Sequence, residues 1–503
     1  MNQIRKTVPS DRLYFELHVL PLLNLYFITG FGLYHYFALG MSCACAFSQA
    51  TVLASLPFAI PLTVCDSTSW PNLVHSVDLS LYMGMAFGGY ILSSMADLIG
   101  RRSMIPITLI IIFGSTFACG FAHTSHVIII CIFILGSGIA ANANTVKIHL
   151  AEILPNKRRG SLLAFQDLFW TIGYAAGAAW LLTPPIVQHR KEEVRFATWR
   201  MIFGLSGICS IMVSCASALL LPSPRYLMFL KNYQDTIDTL TRMYTINNSK
   251  HWETFSIRSR DLQGCVDDFN LNNYIEPITC RDRLVIWFKK IRTIVSVLFQ
   301  QKYLKVTLLL IAAKFIVIFD LLTTNIWLGQ TVRSNDQNCV FTTSSLNDDS
   351  YKCEDLPASL YGNFFHLSIN IFIGQLILLL IVERIGRRLS LVCGCVACGI
   401  SSYIPTYIRK TYAAKFVTSS IFLTGYSLID SALNIVLMES YPTAIRGTAA
   451  GGVQFFARFV GGMLKRFLII SCQRSLILMG SFMLAGAIIC YFLPEYSGKP
   501  MEE

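Results

Sequence analysis

Apolar runs of about 20 residues recur along the chain, with short polar segments between them. Two examples are IPITLIIIFGSTFACGFA (105–122) and FFHLSINIFIGQLILLLIV (364–382), which are apolar on nearly every helical face. A helix of this length crosses the ~30 Å hydrocarbon core of a bilayer, whereas a surface helix of a soluble protein keeps one polar face. The pattern therefore predicts an all-α membrane protein with many spans.

Twelve runs are predicted as transmembrane helices, six before and six after a long polar stretch. The predicted spans are 34–61, 79–96, 104–122, 127–150, 162–183, 199–221, 304–328, 359–382, 389–408, 414–438, 448–468 and 475–493. The expected organisation is a cytoplasmic or interfacial N-terminus (1–33), a six-helix bundle (34–222), a partly helical cytoplasmic linker (223–303), a second six-helix bundle (304–493) and a cytoplasmic tail (494–503). The N-terminus shows no cleavable signal peptide. Its run 13–29 contains Glu16, His18 and Pro21 and is expected to lie in the membrane interface.

Composition supports a membrane protein and explains the basic charge. The 503 residues are 54% hydrophobic and 14% charged, against about 25% charged in soluble domains. The net charge of +12 could suggest a nucleic-acid partner. However, if the N-terminus is cytoplasmic, most basic clusters fall in connections on the cytoplasmic side of the membrane, as the positive-inside rule requires. Arg409, Lys410 and a few others are exceptions, because they fall near the predicted outer ends of spans. We therefore expect membrane lipid, and no nucleic acid, to face this charge.

The sixteen cysteines predict neither a metal site nor a cofactor site. Most lie within predicted spans, where cysteine behaves as a small apolar residue. The run CGCVAC (393–398) has no accompanying histidine and lies inside a predicted span, so it is not interpreted as a zinc site. Cys339 and Cys353 share a predicted outer loop and are a candidate disulfide.

Two similar polar boxes interrupt the apolar pattern half a chain apart. MADLIGRRSM (95–104) and IVERIGRRLS (381–390) each connect the second and third spans of a half, offset by 383 − 97 = 286 residues. AEILPNKRRG (151–160) and MESYPTAIRG (438–447) follow the fourth and tenth spans, offset by 439 − 152 = 287. This period indicates two related halves, the usual plan of secondary transporters.

These boxes resemble the cytoplasmic signature of the major facilitator superfamily. LPSPRYLMFLKN (221–232) resembles the element that closes the sixth span of its sugar and organic-ion porters. GFGLYHY (30–36), FWTIG (169–173) and ESYP (439–442) are similar to the synaptic vesicle glycoprotein 2 and organic-ion transporter branch. The resemblance implies twelve helices in two pseudo-symmetric six-helix halves and transport by alternating access.

The resemblance also implies that the boxes form a cytoplasmic latch, which holds the halves together on that side. Ion pairs suit this role because contacts worth about 1 kcal/mol each can break and re-form. Glu152 with Arg159, and Glu439 with Arg446, are expected to form an adjoining charge network; alternatively, the charges only set topology. The expected latch residues are Asp97, Gly100, Arg101, Arg102, Glu152, Arg159, Glu383, Gly386, Arg387, Arg388, Glu439 and Arg446.

Ionisable residues within spans are candidate substrate-binding residues, because charge at membrane depth is costly. Asp430 and Asp320 could hold a cationic solute or a coupling proton, or could form structural ion pairs, for instance with Arg458. Lys314 and Asp320 lie six residues apart, on different helix faces, and Asp167 could simply be solvated. The candidate substrate-binding residues are Asp430, Asp320, Arg458, Lys314, Lys147, the aromatic Trp170 and the polar Gln49.

The chain departs from the branch where its members carry charge. Gln49 and Val52 stand at the positions of an acidic pair of the first span, and CIFILG (131–136) lacks the usual arginine of the fourth. The leading hypothesis is a monomeric secondary transporter of a small organic solute, with an organic cation and a coupling ion as options, in the plasma membrane or a vesicle. The alternative is a non-transporting receptor or vesicle component of the same fold. The sequence shows no nucleophile–base pair or nucleotide motif, so no enzyme is expected.

Overall fold

The computed structural model describes residues 30–66, 73–155, 158–180, 198–248, 292, 296, 299–333, 358–407, 412–465 and 472–496. Regular structure in these ranges is helical. The helices of the first half are α1 (Leu33–Asp66), α2 (Leu73–Ile99), α3 (Arg101–Gly120), α4 (Ser125–Ile153), α5 (Arg159–Trp180), α6 (Thr198–Ser206) and α7 (Ile208–Ser217). Two helices of the linker follow, α8 (Pro224–Phe229) and α9 (Tyr233–Asn248). The second half contains α10 (Gln301–Arg333), α11 (Ala358–Ile381), α12 (Arg387–Tyr407), α13 (Tyr412–Glu439), α14 (Arg446–Lys465) and α15 (Cys472–Tyr491).

Each predicted span coincides with one helix, except the sixth, which consists of α6 and α7. The interruption lies at Gly207, where a Cβ would collide with the Thr116 side chain of α3, so the glycine permits this close crossing. Six described segments are long and apolar enough to cross a membrane by length and composition. They are Leu33–Ile60, Ser76–Ile99, Arg101–Gly120, Ser125–Ile153, Trp199–Ser217 and Phe416–Glu439.

The two halves pack against each other through equivalent helices. α14 of the second half lies against α2 of the first, and α5 of the first lies against α11 of the second. One hydrophobic core is formed by the first half, for example by Phe58 and Phe203. The other centres on the second half but includes Leu150 and Leu163 from the cytoplasmic ends of α4 and α5. The cytoplasmic side is therefore where the halves share a core.

The described part of the linker is helical and docks on the first half, as the sequence predicts for its YQDTIDTLTRMYTI run. The Asn247 side chain of α9 accepts from the Tyr34 amide (3.0 Å) and donates to the Gly30 carbonyl (2.9 Å). It therefore satisfies backbone groups at the start of α1 that an isolated helix leaves open. The candidate disulfide residues Cys339 and Cys353 lie outside the described residues, and the predicted domain boundaries stay predictions.

Candidate functional site

The two repeated boxes fold into matching turns between consecutive spans. Gly100 and Gly386 have φ of 104° and 92°, a region open to glycine but strained for other residues. The turn places the acid of each box against its first arginine. Arg101 Nη2 lies 3.0 Å from Asp97 Oδ1, and Arg387 Nη1 lies 3.0 Å from Glu383 Oε2. The box sequence therefore fixes an acid–arginine pair in each half.

Each box acid also caps a helix of the opposite half. Asp97 accepts hydrogen bonds from the Gly447 and Thr448 amides at 3.1 and 2.7 Å, and from Thr448 Oγ1 at 3.0 Å, where α14 begins. Glu383 accepts from the Ser161 amide at 3.1 Å, where α5 begins. The first amides of a helix lack intrahelical acceptors and carry partial positive charge. The acids therefore join the halves through helix ends as well as through ion pairs.

The glutamate of each repeated element pairs with the arginine of the other element, not with the arginine of its own element as the sequence suggested. Glu152 does not pair with Arg159 but with Arg446 (3.2 Å) and Arg101 (3.4 Å). Glu439 pairs with Arg159 (2.8 Å) and Arg387 (3.3 Å). In each repeated element the glutamate lies at the end of one helix, and the arginine seven residues later begins the next helix. Both side chains of an element therefore contact residues of the opposite half. All of these side chains are buried.

The second arginine of each box lies beside this network, although both were expected within it. Arg102 is exposed and donates to the Ala218 carbonyl (3.3 Å) of its own half. The Arg388 guanidinium lies 4.9 Å from the centre of the Tyr491 ring. Adjacent residues on a helix point about 100° apart, so only one of two consecutive arginines faces the other half.

Two further residues support the boxes from the cytoplasmic side. The Tyr226 ring of α8 lies 4.4 Å below the Arg101 guanidinium, and its hydroxyl donates to the Leu98 carbonyl (3.0 Å). Burial raises the pKa of Tyr226 to about 12, so the phenol stays a neutral donor. In the second half, Glu495 accepts from the Arg387 and Arg388 amides at 3.1 and 2.8 Å. Sequence reasoning missed both residues, because neither belongs to a repeated element.

A second tier of contacts joins the halves eight residues deeper, about 12 Å along the helices. Gln454 Nε2 donates to Asn144 Oδ1 (2.9 Å), and Ser431 Oγ donates to Asp167 Oδ2 (2.7 Å). These two bonds are related by the repeat, since 431 − 144 and 454 − 167 are both 287. Asp167 also pairs with Lys147 Nζ at 2.6 Å and is buried, so it is not the solvated residue that its position suggested.

An ion pair between a buried lysine and a partly exposed aspartate lies at the level of the second tier, since Asp430 directly precedes Ser431. Lys314 Nζ of α10 lies 2.7 Å from Asp430 Oδ1 of α13, and Asn434 Nδ2 donates to the other carboxylate oxygen (3.2 Å). The sequence suggested Arg458 as the partner of Asp430, but the helix face of Lys314 is turned toward α13. The lysine side chain is 4% exposed and the aspartate 37%, so only the acid borders accessible space.

The accessible faces of α4 and α13 are equivalent surfaces of the two halves. In the cytoplasmic half of α13, Tyr426, Asp430 and Asn434 are partly exposed while their neighbours are buried. In α4, Ala143 and Lys147 are partly exposed between buried neighbours, and 430 − 143 and 434 − 147 are both 287. Residues four apart share one helix face. The halves therefore turn matching faces toward the space between them. Asp430 and Ala143 are level with the second tier, and Lys147 and Asn434 lie between the two tiers.

Arg458 and an aromatic group lie near this space. Arg458 Nη1 of α14 donates to the Met85 carbonyl of α2 at 3.5 Å, and the preceding residue, Ala457, packs with Ile318 and Tyr82. In α5, Trp170 stacks on Tyr174 with ring centres 5.4 Å apart and an interplanar angle of 14°.

The other two candidates lie within the helix packing. Gln49 of α1 is buried and donates to Asn142 Oδ1 of α4 (2.5 Å), while Asn142 Nδ2 donates to Thr108 Oγ1 of α3 (2.8 Å). Gln49 thereby links three helices of the first half. Asp320 is fully buried in α10. Their roles as substrate-binding residues stay predictions.

The sequence profile of the Major Facilitator Superfamily matches residues 42–465. Organic cation/carnitine transporter 7 of Arabidopsis thaliana is 23% identical over 498 residues, covering 94% of this chain and 94% of that protein. Major myo-inositol transporter IolT of Bacillus subtilis (strain 168) is 23% identical over 447 residues, covering 85% and 84%. Synaptic vesicle glycoprotein 2A of Rattus norvegicus is 26% identical over 201 residues, covering 39% of this chain and 26% of that protein.

Solved structures show the same fold. The proton:xylose symporter XylE bound to 6-bromo-6-deoxy-D-glucose has a TM-score of 0.64 at 15% identity, with coverage of 93% of this chain and 97% of that chain. The inward-open conformation of XylE from E. coli has a lower TM-score, 0.56, at 14% identity, with coverage of 92% and 97%. The sequence-based predictions of the fold and of a secondary transporter working by alternating access are confirmed. The chain belongs to the Major Facilitator Superfamily.

Proposed function

We propose that a small polar organic solute binds between α4, α10, α13 and α14, at the level of Lys147, Lys314 and Asp430. The observation that carries this proposal is the pair of repeat-related accessible faces on α4 and α13. Charged side chains at membrane depth are costly and are retained where they serve a pathway. Their position between two similar halves is where secondary transporters hold their substrates.

The two tiers of contacts supply the cytoplasmic gate of such a cycle. Both tiers join the halves, so the described conformation is closed on the cytoplasmic side. Release to the cytoplasm requires the acid caps, the exchanged ion pairs and the bonds at Asn144 and Asp167 to separate. Rigid-body rocking of one half against the other separates all of them together, because each contact has one partner in each half.

The relatives suggest the range of solutes for a first test. Their names mention organic cations, carnitine and myo-inositol, and the structural neighbour is a xylose symporter. All are small and polar, which fits a site bordered by Asp430, Asn434 and Lys147. Residence in the plasma membrane or in a vesicle, a monomeric state and the identity of any coupling ion stay predictions from the sequence.

Uptake by purified protein in liposomes tests this proposal. Labelled carnitine, choline, myo-inositol, xylose and benzoate would be offered with and without an inward proton gradient. We expect saturable uptake of at least one solute, lost in Asp430→Ala and retained in Arg242→Gln, an exposed residue of α9. A folded protein that neither binds nor moves any of these solutes would contradict the proposal and favour the non-transporting alternative.

A further inference from the structure

A buried histidine, His149, lies beside the proposed cytoplasmic gate. It precedes Glu152 by three residues near the end of α4, and it is 1% exposed. Within the described part of the chain, neither of its ring nitrogens has a hydrogen-bond partner. Buried polar side chains are nearly always hydrogen-bonded, so an unpartnered imidazole at this place calls for a functional reason.

The contacts of the gate do not require a histidine at this position. The two glutamates are offset by 439 − 152 = 287 residues, and the same offset, 436 − 149 = 287, relates His149 to Val436. Val436 is buried before Glu439 as His149 is buried before Glu152. Glu439 nevertheless binds an arginine of each half. The histidine therefore adds a property that the equivalent position of the second half lacks.

Glu152 has an unused oxygen on the same helix as His149. Its Oε1 atom binds Arg101 Nη2 at 3.4 Å and Arg446 Nη1 at 3.2 Å. Its Oε2 atom is buried and has no hydrogen-bond partner among the described residues. Residues three apart are neighbours on the surface of a helix. A protonated imidazole carries two N–H donors, so it could donate to this carboxylate.

Positive charge already dominates around His149 in the closed conformation. Arg101 and Arg102 of α3 act on the imidazole electrostatically, as does Glu152. The other titratable or charged side chains near this end of the helices that pack against α4 are Tyr34 and His35 of α1, Asp97 of α2, Arg159 and Asp167 of α5, Arg225 and Tyr226 of α8, Glu439 of α13 and Arg446 of α14, together with Lys147 of α4 itself. Cations outnumber acids in this set, so a proton on His149 would add uncompensated charge to the closed gate.

Separation of the halves removes this obstacle. Arg446 belongs to the second half, so Glu152 loses it when the halves part, whereas Arg101 stays. Arg101 is also the ion-pair partner of Asp97. Two acids then share one arginine at a surface that water can reach. A protonated His149 would restore the balance of charge there.

We propose that His149 takes up a proton from water on the cytoplasmic side when the halves part, and that the protonated imidazole replaces Arg446 as a partner of Glu152. This inference rests on the proposed function and links a proton to the opening of its gate. The neutral imidazole belongs to the closed conformation. That conformation is therefore favoured above the ordinary histidine pKa of about 6.5, and it loses this advantage as the pH falls below that value.

The ordinary pKa of histidine sets the expected size of the effect. Between about pH 7.5 and about pH 5.5, the ratio of protonated to neutral imidazole in an exposed histidine rises from about 0.1 to about 10. Because only the open conformation binds this proton, the ratio of open to closed protein should rise by about tenfold over the same range.

Hydrogen–deuterium exchange of the purified, solute-free protein at these two pH values tests the inference. Exchange is corrected for the pH dependence of the chemical reaction itself. In wild type, peptides covering the first turns of α5 and α14 should lose protection by up to about tenfold at the lower pH. His149→Gln introduces a neutral side chain of similar size and should abolish most of this loss. His126→Gln, at the exposed opposite end of α4, should behave as wild type.

His149→Val provides a second variant, because valine occupies the equivalent position of the second half. An equal loss of protection in wild type and in both His149 variants would overturn the inference and assign the pH response to the acids of the gate. Constant protection in wild type at both pH values would overturn it as well. The measurement contains no solute, so neither result bears on the solute site. Absence of solute uptake in liposomes would conversely leave the proton response of the gate intact.

Discussion

We expect the proposed cytoplasmic gate to be sensitive to substitution of Glu439. Its carboxylate lies between Arg159 of the first half and Arg387 of the second, and its side chain is 0% exposed. Glu439→Gln would leave two buried guanidinium groups without this acid. Removal of one partner from a buried ion pair costs about 3–5 kcal/mol. The pair with Arg159 joins the halves and exists only while they are closed, whereas Arg387 belongs to the same half as Glu439. The part of the cost that comes from losing the pair with Arg159 therefore falls on the closed conformation.

An energy of about 3–5 kcal/mol would shift the balance between closed and open states by roughly two to four orders of magnitude. Hydrogen–deuterium exchange read by mass spectrometry would detect the shift as faster exchange in peptides covering the starts of α5 and α14. Asp238→Asn is the control, because it removes an exposed carboxylate of α9 that lies outside the contacts between the halves. Equal exchange in the two variants, or no change in Glu439→Gln, would contradict the assignment of Glu439 to the gate.

Three further predictions concern the deeper contacts and the helix crossing. Asp430→Asn and Lys314→Gln should each lower the melting temperature, whereas the double variant should recover much of the loss, because a buried pair is costly mainly when one partner remains; additive losses in the double-mutant cycle would contradict the pairing. Asp167→Asn should increase hydrogen–deuterium exchange at the cytoplasmic half of α5 more than Gln454→Ala increases exchange in α14, because it also removes the acid that Lys147 binds. Equal increases in the two variants would show that the Lys147–Asp167 ion pair does not stabilise this contact. Gly447→Ala should destabilise the closed state, as its Cβ would lie 2.8 Å from Asp97 Oδ1, while Gly452→Ala, which meets only the edge of the Tyr90 ring at 3.7 Å, should be neutral by the same exchange measurement.

The helices and the contacts between the repeated boxes could be predicted because both leave strong marks on the sequence. Apolar runs long enough to cross a bilayer have few alternatives to a helix. The repeated boxes fixed the period of 286 or 287 residues and hence the equivalence of the halves. Glu152 and Arg159 illustrate the limit of this reasoning. Their spacing was read correctly, but one chain gives no information on which of two similar halves each side chain faces.

The partners of the polar residues within the spans were harder to predict, because they too depend on which neighbouring helix each side chain faces. Asp430 and Lys314 were found because charge within a span is conspicuous, yet their pairing depends on the rotation of α10 and α13. Asp167 was misjudged because a residue near a helix end can be wet or covered, and Ser431 of the other half covers it. Ser431, Asn144 and Gln454 are small polar residues that occur in many packed membrane helices, so nothing local marked them.

The caps that Asp97 and Glu383 provide have a consequence for the secondary structure of the protein. The first turns of α14 and α5 complete their hydrogen bonding with acids of the opposite half. When the halves part, these amides lose their acceptors and must turn to water or to one another. We therefore expect the first turns of α5 and α14 to fray when the halves part and to re-form when they meet. The helical content of these two turns would therefore differ between the closed and the open conformation. A spectroscopic label on either turn would follow the opening and closing of the halves without a labelled substrate.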